Sequence, residues 1–313
     1  MQETAKNKVA VLIPCYNEEK TLRKVIQDFR RELPESVIYV FDNNSTDRSV
    51  AIAKENGAVI ILEPRQGKGF VVERMFSAID ADLYIMVDGD DTYPAECIHS
   101  LMEPVKQGLA DMTVGRRNAQ FEEASFRKFH LFGNRMVRCC INWIMGSDLK
   151  DILSGYRVFN RAIIERIPVI SSGFEIETEL TIQTLYYQRK IIEIDIPYRA
   201  RPEGSVSKLH TISDGFRVVW KLFSLFRSLK PLTFFGGIGG ILFILGLVAG
   251  WLPVRDYLVN PNHYVAHVPS AILAAGLMML AFLFMFIGLL LHAVNKRFLE
   301  IHNVLTRLHP KEN

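Results

Sequence analysis

The sequence predicts an α/β fold with a mostly parallel sheet flanked by helices, followed by amphipathic segments and two transmembrane helices. Two observations carry this prediction. Between residues 8 and 108, four unbroken apolar runs rich in Val and Ile alternate with helical patterns. Strands that are apolar on both faces are typical of parallel sheets covered by helices. Farther along, residues 231–254 and 257–295 contain no Asp, Glu, Lys or Arg, which argues against a purely soluble protein.

Composition excludes several classes of protein. The chain has 313 residues with 37 Lys and Arg against 34 Asp and Glu, a formal net charge of +3. Since nucleic-acid-binding proteins present a broad basic face, no nucleic acid is expected as a partner. The four cysteines have no C-x-x-C spacing, so neither a disulfide framework nor a zinc site is predicted. Residues 1–8 lack the basic-then-apolar order of a signal peptide, which predicts a cytosolic first domain.

The predicted strands of the sheet are VAVLIP, VIYVFDN, AVIILE and LYIMVDGD, each followed by a helix. The first two helices end near residues 33 and 56, and the next two span residues 68–80 and 94–107. Ligands of such sheets bind outside the carboxyl ends of the strands. Polar clusters follow three of the strands and mark the expected site; they are residues 16–18, 42–47 and 88–91.

Two basic amphipathic helices are predicted beyond this region. The first covers residues 125–146, and the second, a juxtamembrane helix, covers residues 211–230. Two interpretations stay open: the helices cover the sheet of a soluble domain, or they dock on a membrane surface. The second helix runs directly into an apolar span, which favours docking.

The two apolar spans, residues 231–251 and 268–293, have 21 and 26 residues. Each is long enough to cross a hydrocarbon core of about 30 Å at roughly 1.5 Å per residue, although a buried helical hairpin is the alternative. Basic residues before the first span and after the second predict that both chain ends are cytosolic. Glycines at 236, 237, 239 and 240 would allow close helix packing, within one subunit or in a homo-oligomer.

The predicted organisation is therefore a cytosolic α/β domain over residues 1–210, the juxtamembrane helix, a membrane region over residues 231–295 and a cytosolic tail over residues 296–313. This places the chain at a membrane with its polar domain on the cytosolic side.

The chemistry is concentrated in Asp88-Gly89-Asp90, which follows the fourth strand. The glycine lets the chain turn so that two carboxylates face one point, and such oxygen ligands suit Mg²⁺ or Mn²⁺ shared with a diphosphate. An acidic surface turn is the alternative. Lys68, between two glycines at a helix start, can offer an ammonium and backbone N–H groups to a nucleotide, or the segment is only a turn.

Seven motifs occur in the order found in family 2 glycosyltransferases, which have the GT-A fold. The chain resembles in particular the dolichyl- and polyprenyl-phosphate sugar transferases with two C-terminal transmembrane helices, over about residues 8–295. The motifs lie at residues 13–18, 42–47, 67–69, 88–90, 115–117, 151–157 and 201–208.

The resemblance implies a donor site for a nucleotide-diphosphate sugar, with Mg²⁺ or Mn²⁺ as the cofactor. Asp88 and Asp90 match the metal motif, and Asp90 is expected to be catalytic. The chain departs from the family pattern at two positions of the donor site. Asn43 replaces a frequent second Asp, which leaves one base or ribose contact open, and Thr92 stands where some relatives have a Gln metal ligand, which leaves the third protein ligand open. The residues that match nucleotide contacts are Pro14, Tyr16, Glu18, Asp42, Lys68 and Asp88.

The resemblance also implies a polyprenyl phosphate acceptor, undecaprenyl or dolichyl phosphate. Arg117 and Arg201 match the residues expected to hold its phosphate, with Arg127 and Lys128 as neighbours, although purely structural arginines are the alternative. Asp151 matches the carboxylate near the transferred sugar, where it would orient a hydroxyl, act as a base or cap a turn.

The expected function is the inverting, metal-dependent transfer of one sugar to polyprenyl phosphate at the cytosolic leaflet. A UDP-sugar is favoured because Asn43 departs from the mannosyl relatives. The alternatives are an enzyme that uses GDP-mannose, like dolichyl-phosphate mannosyltransferase, and a non-catalytic scaffold that binds nucleotide sugars. A processive polysaccharide synthase is disfavoured because the chain has no Gln-x-x-Arg-Trp motif.

Overall fold

The computed structural model describes residues 8–117, 128–171, 173, 175–199, 220, 223–224, 226–262 and 264–308; side chains are described for these except residues 128–134, 136, 299 and 302–308. The chain forms two compact units, Met1–Leu222 and Phe223–Asn313. The first contains the sheet, and the second contains the long apolar helices.

Seven strands form one sheet in the order β3-β2-β1-β4-β6-β5-β7. The strands β1 to β4 run parallel, β6 is antiparallel to its neighbours β4 and β5, and β7 is parallel to β5. The mostly parallel sheet predicted from the sequence is therefore confirmed. The strands are β1 (Val9–Cys15), β2 (Val37–Asp42), β3 (Val59–Leu62), β4 (Leu83–Met86), β5 (Met112–Arg117), β6 (Arg157–Asn160) and β7 (Ile191–Ile196).

Helices cover both faces of the sheet, which explains why its strands are apolar throughout. In β1, Val11 and Ile13 belong to one buried cluster, and Ala10 and Leu12 belong to the cluster on the opposite face. The first cluster includes buried residues of α1 and α4, and the second includes those of α3 and α7. The helices of this unit are α1 (Leu22–Glu32), α2 (Ser49–Glu55), α3 (Lys68–Ala78), α4 (Ile98–Lys106), α5 (Lys128–Met145), α6 (Arg161–Ile164) and α7 (Ile176–Tyr186).

The register of the central strands brings three polar loops to one edge of the sheet. Cys15 at the end of β1 pairs with Asp42 at the end of β2, and Leu12 of β1 pairs with Met86 of β4. The Thr21 hydroxyl, just before α1, donates a hydrogen bond of 2.7 Å to the carbonyl oxygen of Gly89, beyond β4. The polar clusters that follow β1, β2 and β4 therefore lie together, as the sequence predicts.

Arg157, at the start of β6, is fully buried. Its Nε donates to the carbonyl oxygen of Ser154 at 2.8 Å, Nη2 to that of Ile152 at 2.7 Å, and Nη1 to the Thr181 hydroxyl at 2.9 Å. Burial lowers the pKa of Arg157 from the usual arginine value. The guanidinium thus holds the loop before β6 against α7.

The second unit consists of α8 (Pro231–Val259) and α9 (Val268–Leu308). Both helices are long and apolar enough to cross a membrane. Many of their apolar side chains are exposed, among them Ile241, Val248 and Phe282, whereas a core helix of a soluble protein would bury them. By these criteria the pair has the character of membrane-spanning helices.

Both long helices extend beyond the predicted spans. The helix α9 continues to Leu308, through most of the region predicted as a tail, because the sequence has neither Gly nor Pro between Gly288 and Pro310. The helix α8 continues past Trp251 and includes Pro253. The predicted limits of 251 and 293 mark where the hydrophobic pattern weakens, not where the helices end.

Glycines let α8 and α9 pack closely. A Cβ at Gly239 would lie 2.9 Å from the carbonyl oxygen of Ala281, and one at Gly246 would lie 3.0 Å from Cγ of Met278. Close packing of the hairpin therefore favours glycine at both positions, most of all at Gly239, where the opposing atom belongs to the backbone. A Cβ at Gly236, Gly237 or Gly240 would meet no described atom within 4 Å, so these glycines are not used within the hairpin.

The first amphipathic helix predicted over residues 125–146 corresponds to α5, and residues 125–127 lie outside the described residues. Residues 211–219, 221–222 and 225 of the second predicted helix also lie outside them.

We expect Arg157→Met to lower the free energy of unfolding by about 2 to 4 kcal/mol, because the carbonyl oxygens of Ile152 and Ser154 would lose their donor in a buried site. Urea unfolding of the full chain in detergent micelles measures the change. Arg23→Met is the matched control, because Arg23 forms an exposed ion pair with Glu55 and its loss should cost no more than about 1 kcal/mol. Equal midpoints for the two variants would contradict the role of Arg157.

Candidate active site

The loops after β1 and β2 are joined by hydrogen bonds between side chains and backbone. The backbone N–H of Asn17 donates to Oγ of Ser45 at 2.9 Å, and that of Glu18 donates to Oγ of Ser49 at 2.8 Å. Oδ1 of Asn17 accepts from the backbone N–H of Thr46 at 2.8 Å. The two loops thus form one rim at the sheet edge.

The residues predicted to contact the nucleoside lie on this rim. Pro14 and Glu18 are half-buried, and Tyr16 is 37% exposed. Asp42 is 4% exposed, and its carboxylate oxygens accept from the backbone N–H of Ser45 at 3.4 and 3.3 Å. The predicted nucleotide contacts on β1 and β2 therefore share one location.

Asn43 is buried and fixes the loop that leads into α3. Its Nδ2 donates to the carbonyl oxygens of Glu63 at 2.9 Å and Arg65 at 2.7 Å. Its Oδ1 accepts from the backbone N–H of Gly67 at 2.7 Å and from Nε2 of Gln66 at 3.2 Å. Its amide is thus committed to the loop that leads into α3.

Gly67 and Lys68 begin α3 directly after that loop. Gly67 has φ of 143°, a conformation that favours glycine. Nζ of Lys68 lies 2.6 Å from Oδ1 of Asp88 and 2.5 Å from Oε1 of Glu177, on α7. Burial works to lower the pKa of Lys68, but the carboxylates of Asp88 and Glu177 outweigh it and raise this pKa. The ammonium is therefore charged at neutral pH.

The two carboxylates of the predicted metal motif have different surroundings. Asp88 is partly exposed, and a Cβ at Gly155 would lie 2.3 Å from its Oδ2, so a larger residue at this position would force the carboxylate to shift. Asp90 is 3% exposed, and its Oδ1 accepts from the hydroxyl of Thr92 at 2.6 Å. Thr92, at the position of the third ligand in some relatives, thus orients Asp90.

The donor set fits a divalent cation that is shared with a diphosphate. Asp88 and Asp90 supply hard carboxylate oxygens, which Mg²⁺ and Mn²⁺ prefer. Across the described residues, no group of three or more His, Cys, Asp or Glu side chains is placed to hold a metal ion. The remaining ligands would therefore come from the diphosphate and water, as is usual for Mg²⁺.

Arg117 and Asp151 form a buried ion pair. Nε and Nη2 of Arg117 donate to Oδ2 and Oδ1 of Asp151, each at 2.8 Å. Burial works to raise the pKa of Asp151, but the guanidinium of Arg117 outweighs it, and the pKa is lowered. The carbon Cζ of Arg117 also lies 5.5 Å from the ring centre of Tyr198. The residues predicted for acceptor phosphate and sugar therefore bind each other.

The backbone around Asp151 is held from two sides. Its N–H donates to Oε1 of Glu193, on β7, at 2.6 Å, and its Oδ1 accepts from the N–H of Leu153 at 3.2 Å. Asp151 therefore caps a turn in addition to pairing with Arg117, which matches one of its three predicted roles. A carboxylate with a lowered pKa is a weak base, so general base catalysis is the role that this geometry favours least.

Tyr93 connects the region of Asp88 with the loop that carries Asp151. Its buried hydroxyl accepts from the backbone N–H of Gly155 at 3.1 Å and from Oγ of Ser154 at 3.4 Å. Burial raises the pKa of Tyr93 above the usual tyrosine value, so the phenol stays protonated. Gly155, whose N–H donates to Tyr93, is also the residue at which an added Cβ would meet the Asp88 carboxylate.

Three predicted acceptor residues cannot be placed against this geometry. Arg127 and Arg201 lie outside the described residues, and Lys128 begins α5 with its side chain outside them. In contrast, sequence reasoning missed Glu177, Tyr93 and the loop contacts of Asn43. The sequence contains one indication of a role for Glu177: three glutamates, at positions 175, 177 and 179, lie at the start of a helix that is largely buried in the structure.

The same motifs match a known family. Residues 10–167 fit the profile described as "Glycosyl transferase family 2", which is half of the chain. The chain belongs to glycosyl transferase family 2. It is a glycosyltransferase, as the order of the motifs predicts.

Relatives within family 2 align along most of the chain. Glycosyltransferase AglJ of Haloferax volcanii is 32% identical over 277 residues, 88% of this chain and 91% of that protein. Dolichol-phosphate mannosyltransferase of Pyrococcus furiosus is 28% identical over 263 residues, 79% of this chain and 73% of the relative. Undecaprenyl-phosphate 4-deoxy-4-formamido-L-arabinose transferase of Proteus mirabilis is 27% identical over 297 residues, 90% of this chain and 84% of the relative.

A solved structure resembles the family 2 domain. Glucosyl-3-phosphoglycerate synthase from Mycobacterium tuberculosis, in complex with phosphoglyceric acid, superimposes with a TM-score of 0.60 at 22% identity. The match covers 70% of this chain and 80% of the synthase. It supports the expected GT-A fold.

We expect Asn43→Asp to lower the free energy of unfolding by about 2 to 4 kcal/mol, because a carboxylate cannot donate to the carbonyl oxygens of Glu63 and Arg65. Urea unfolding in detergent micelles measures this loss. Asn44→Asp is the matched control, since Asn44 donates to the carbonyl oxygen of Pro64 in the same loop but at an exposed position, and Asp also tolerates its φ of 66°. The control should change by less than about 1 kcal/mol. A loss of the same size in both variants would refute the loop contacts of Asn43.

Proposed function

We propose that the protein transfers one sugar from a nucleotide-diphosphate sugar to a polyprenyl phosphate, with inversion at the anomeric carbon and with Mg²⁺ or Mn²⁺ as the cofactor. The observation that carries this proposal is the ion pair of Lys68 with Asp88, two residues before the buried Asp90, at the carboxyl edge of the sheet. The chain also has two helices that are long and apolar enough to cross a membrane. The names of the relatives support the lipid acceptor: one acts on dolichol phosphate, and another acts on undecaprenyl phosphate.

The acceptor determines what the reaction requires. A lipid monophosphate has a second pKa of about 6, so it is largely dianionic at neutral pH and is already a nucleophile. One of its oxygens attacks the anomeric carbon, the bond from that carbon to the diphosphate oxygen breaks, and the nucleoside diphosphate leaves with the bonding electrons. A strong general base is not needed, which agrees with the lowered pKa of Asp151.

The side chains of this protein would bring two anionic reactants together. Asp88 and Asp90 would hold the cation, and Lys68 would place its ammonium beside the diphosphate. The bound cation supplies Lewis-acid stabilisation of the leaving diphosphate. Thr92 keeps the Asp90 carboxylate in one orientation through its hydrogen bond of 2.6 Å. Pro14, Tyr16, Glu18 and Asp42 are assigned to the nucleoside.

A UDP-sugar remains the proposed donor. Its support is a structure of glucosyl-3-phosphoglycerate synthase with Mn²⁺ and UDP-glucose, which superimposes with a TM-score of 0.59 at 20% identity over 71% of this chain and 80% of that chain. GDP-mannose is the second candidate, because one relative is a mannosyltransferase. Family membership and the paired carboxylates support an enzyme over a scaffold that only binds nucleotide sugars.

For the acceptor phosphate we assign Arg117, Arg127, Lys128 and Arg201. Arginine suits this task because its planar fork donates to two phosphate oxygens at once. Arg117 is already aligned by its two hydrogen bonds to Asp151, so its guanidinium has a defined orientation. We place the transfer reaction at the cytosolic leaflet, because basic residues precede the first apolar span and follow the second, and such residues favour the cytosolic side.

A donor panel tests this function. The purified full chain in lipid nanodiscs is incubated with undecaprenyl or dolichyl phosphate and labelled UDP-glucose, UDP-galactose, UDP-N-acetylglucosamine or GDP-mannose, with Mn²⁺ or with EDTA. We expect label in the lipid fraction from a UDP-sugar only when Mn²⁺ is present. If only GDP-mannose labels the lipid fraction, GDP-mannose replaces a UDP-sugar as the proposed donor. If no donor labels the lipid fraction, the proposed transfer reaction is contradicted.

We expect Asp90→Asn to reduce transfer at least about a thousandfold while the chain stays folded, because a neutral amide is a poor ligand for a cation that neutralises the diphosphate. The initial rate of transfer and the thermal midpoint are measured in nanodiscs. Asp91→Asn is the control, since Asp91 pairs with Lys24 at 2.6 Å and Asn tolerates its φ of 59°. Near-normal turnover of a folded Asp90→Asn variant would exclude Asp90 as a metal ligand.

The proposed orientation places residues 1–230 and 296–313 in the cytosol and the loop between α8 and α9 on the opposite side. Both test variants are made in a background in which the four native cysteines are replaced by Ser. We expect the cysteine introduced by Asn262→Cys to react with an impermeant maleimide on intact cells. The cysteine introduced by Lys311→Cys should react only after the cells are permeabilised. Labelling with the reverse pattern would invert the topology.

A further inference from the structure

Lys68 lies between carboxylates from two distant segments of the chain. Its Nζ is 2.6 Å from Oδ1 of Asp88, at the end of β4, and 2.5 Å from Oε1 of Glu177, in the first turn of α7. The side chains of Lys68 and Glu177 are 12% and 6% exposed, while that of Asp88 is 26% exposed. The ammonium thus has two alternative anionic partners, of which Asp88 is the more accessible.

The contact with Asp88 competes with the proposed role of that residue. A divalent cation on the Asp88 carboxylate would stand within a few ångströms of the ammonium, and like charges this close repel strongly away from bulk water. Because of this repulsion, the ammonium must give up much of its contact with Asp88 when a cation binds.

We infer that Glu177 is a positioning residue that holds the Lys68 ammonium when a divalent cation occupies Asp88. In the cation-free site, Lys68 serves as the internal counter-ion of the carboxylates. This inference rests on the metal site of the proposed function. The net charge of the site agrees with this exchange of the Lys68 ammonium for a divalent cation at Asp88. The carboxylates of Asp88, Asp90 and Glu177 with one ammonium leave two negative charges, which one divalent cation balances. Among the described residues, Asp88 and Glu177 are the carboxylates that pair with this ammonium, so without Glu177 it would be left with Asp88.

The first test measures binding of Mn²⁺ to the full chain in detergent micelles, by the electron paramagnetic resonance signal of free Mn²⁺, with and without UDP or GDP. We expect Glu177→Gln to weaken Mn²⁺ binding at least about tenfold, the size expected when a charge-assisted hydrogen bond is transferred entirely to the competing carboxylate. Glu175→Gln, the same substitution at the start of the same helix, should leave Mn²⁺ affinity unchanged.

A second background separates this exchange from a simple loss of negative charge. In Lys68→Met chains the competing ammonium is absent, so adding Glu177→Gln should weaken Mn²⁺ binding by less than about threefold, because only the attraction through space is then lost. Equal weakening in both backgrounds would overturn the role of Glu177 as a second partner.

A charge-conserving variant gives an independent measurement. Glu177→Asp keeps the negative charge but shortens the side chain by one methylene, so it should also weaken Mn²⁺ binding if contact with Lys68 is required. Wild-type affinity in this variant would overturn the inference and leave the metal site intact. If the wild-type chain itself binds no Mn²⁺ with either nucleotide, the metal site of the proposed function fails, and this inference fails with it.

Discussion

The buried guanidinium of Arg157 is the constraint on which the rest of the site depends. Its three nitrogens all donate, to two carbonyl oxygens of the preceding loop and to Thr181 on α7. A buried guanidinium is tolerated only when its donors are satisfied, so the loop has little freedom to move away. The same loop carries Asp151, so the ion pair of Asp151 with Arg117 depends on how the loop is held.

Charged side chains at the sheet edge form ion pairs within the folded chain. Lys68 lies between two carboxylates, and Arg117 lies against a third. Since a buried charge without a partner is costly, loss of either member of a pair would destabilise the folded state, and the pairs fix the orientation of the groups that would meet anionic reactants. Such preorganisation is what electrostatic catalysis of a phosphate-bearing substrate requires.

Much of the architecture could be predicted from local patterns. Apolar runs identified the first four of the seven strands, the absence of charge identified the two long helices, and the turn at Gly89 indicated where two carboxylates would emerge. The departures from local prediction are instructive. Asn43 stood out in the sequence only as a replacement for a frequent second Asp, whereas in the structure its amide binds the carbonyl oxygen of Glu63, 20 residues away. Glu177 carried no motif, although it shares Lys68 with Asp88.

The sequence by itself determined the fold class, the apolar hairpin, the order of the motifs and the position of Asp88 and Asp90 at a strand end, because these follow from periodicity and from neighbours along the chain. Only the tertiary structure decided which charged groups pair. Arg117 binds Asp151, and Lys68 binds both Asp88 and Glu177. Such pairing depends on burial and on distances between segments far apart in the chain, which a one-dimensional pattern does not encode.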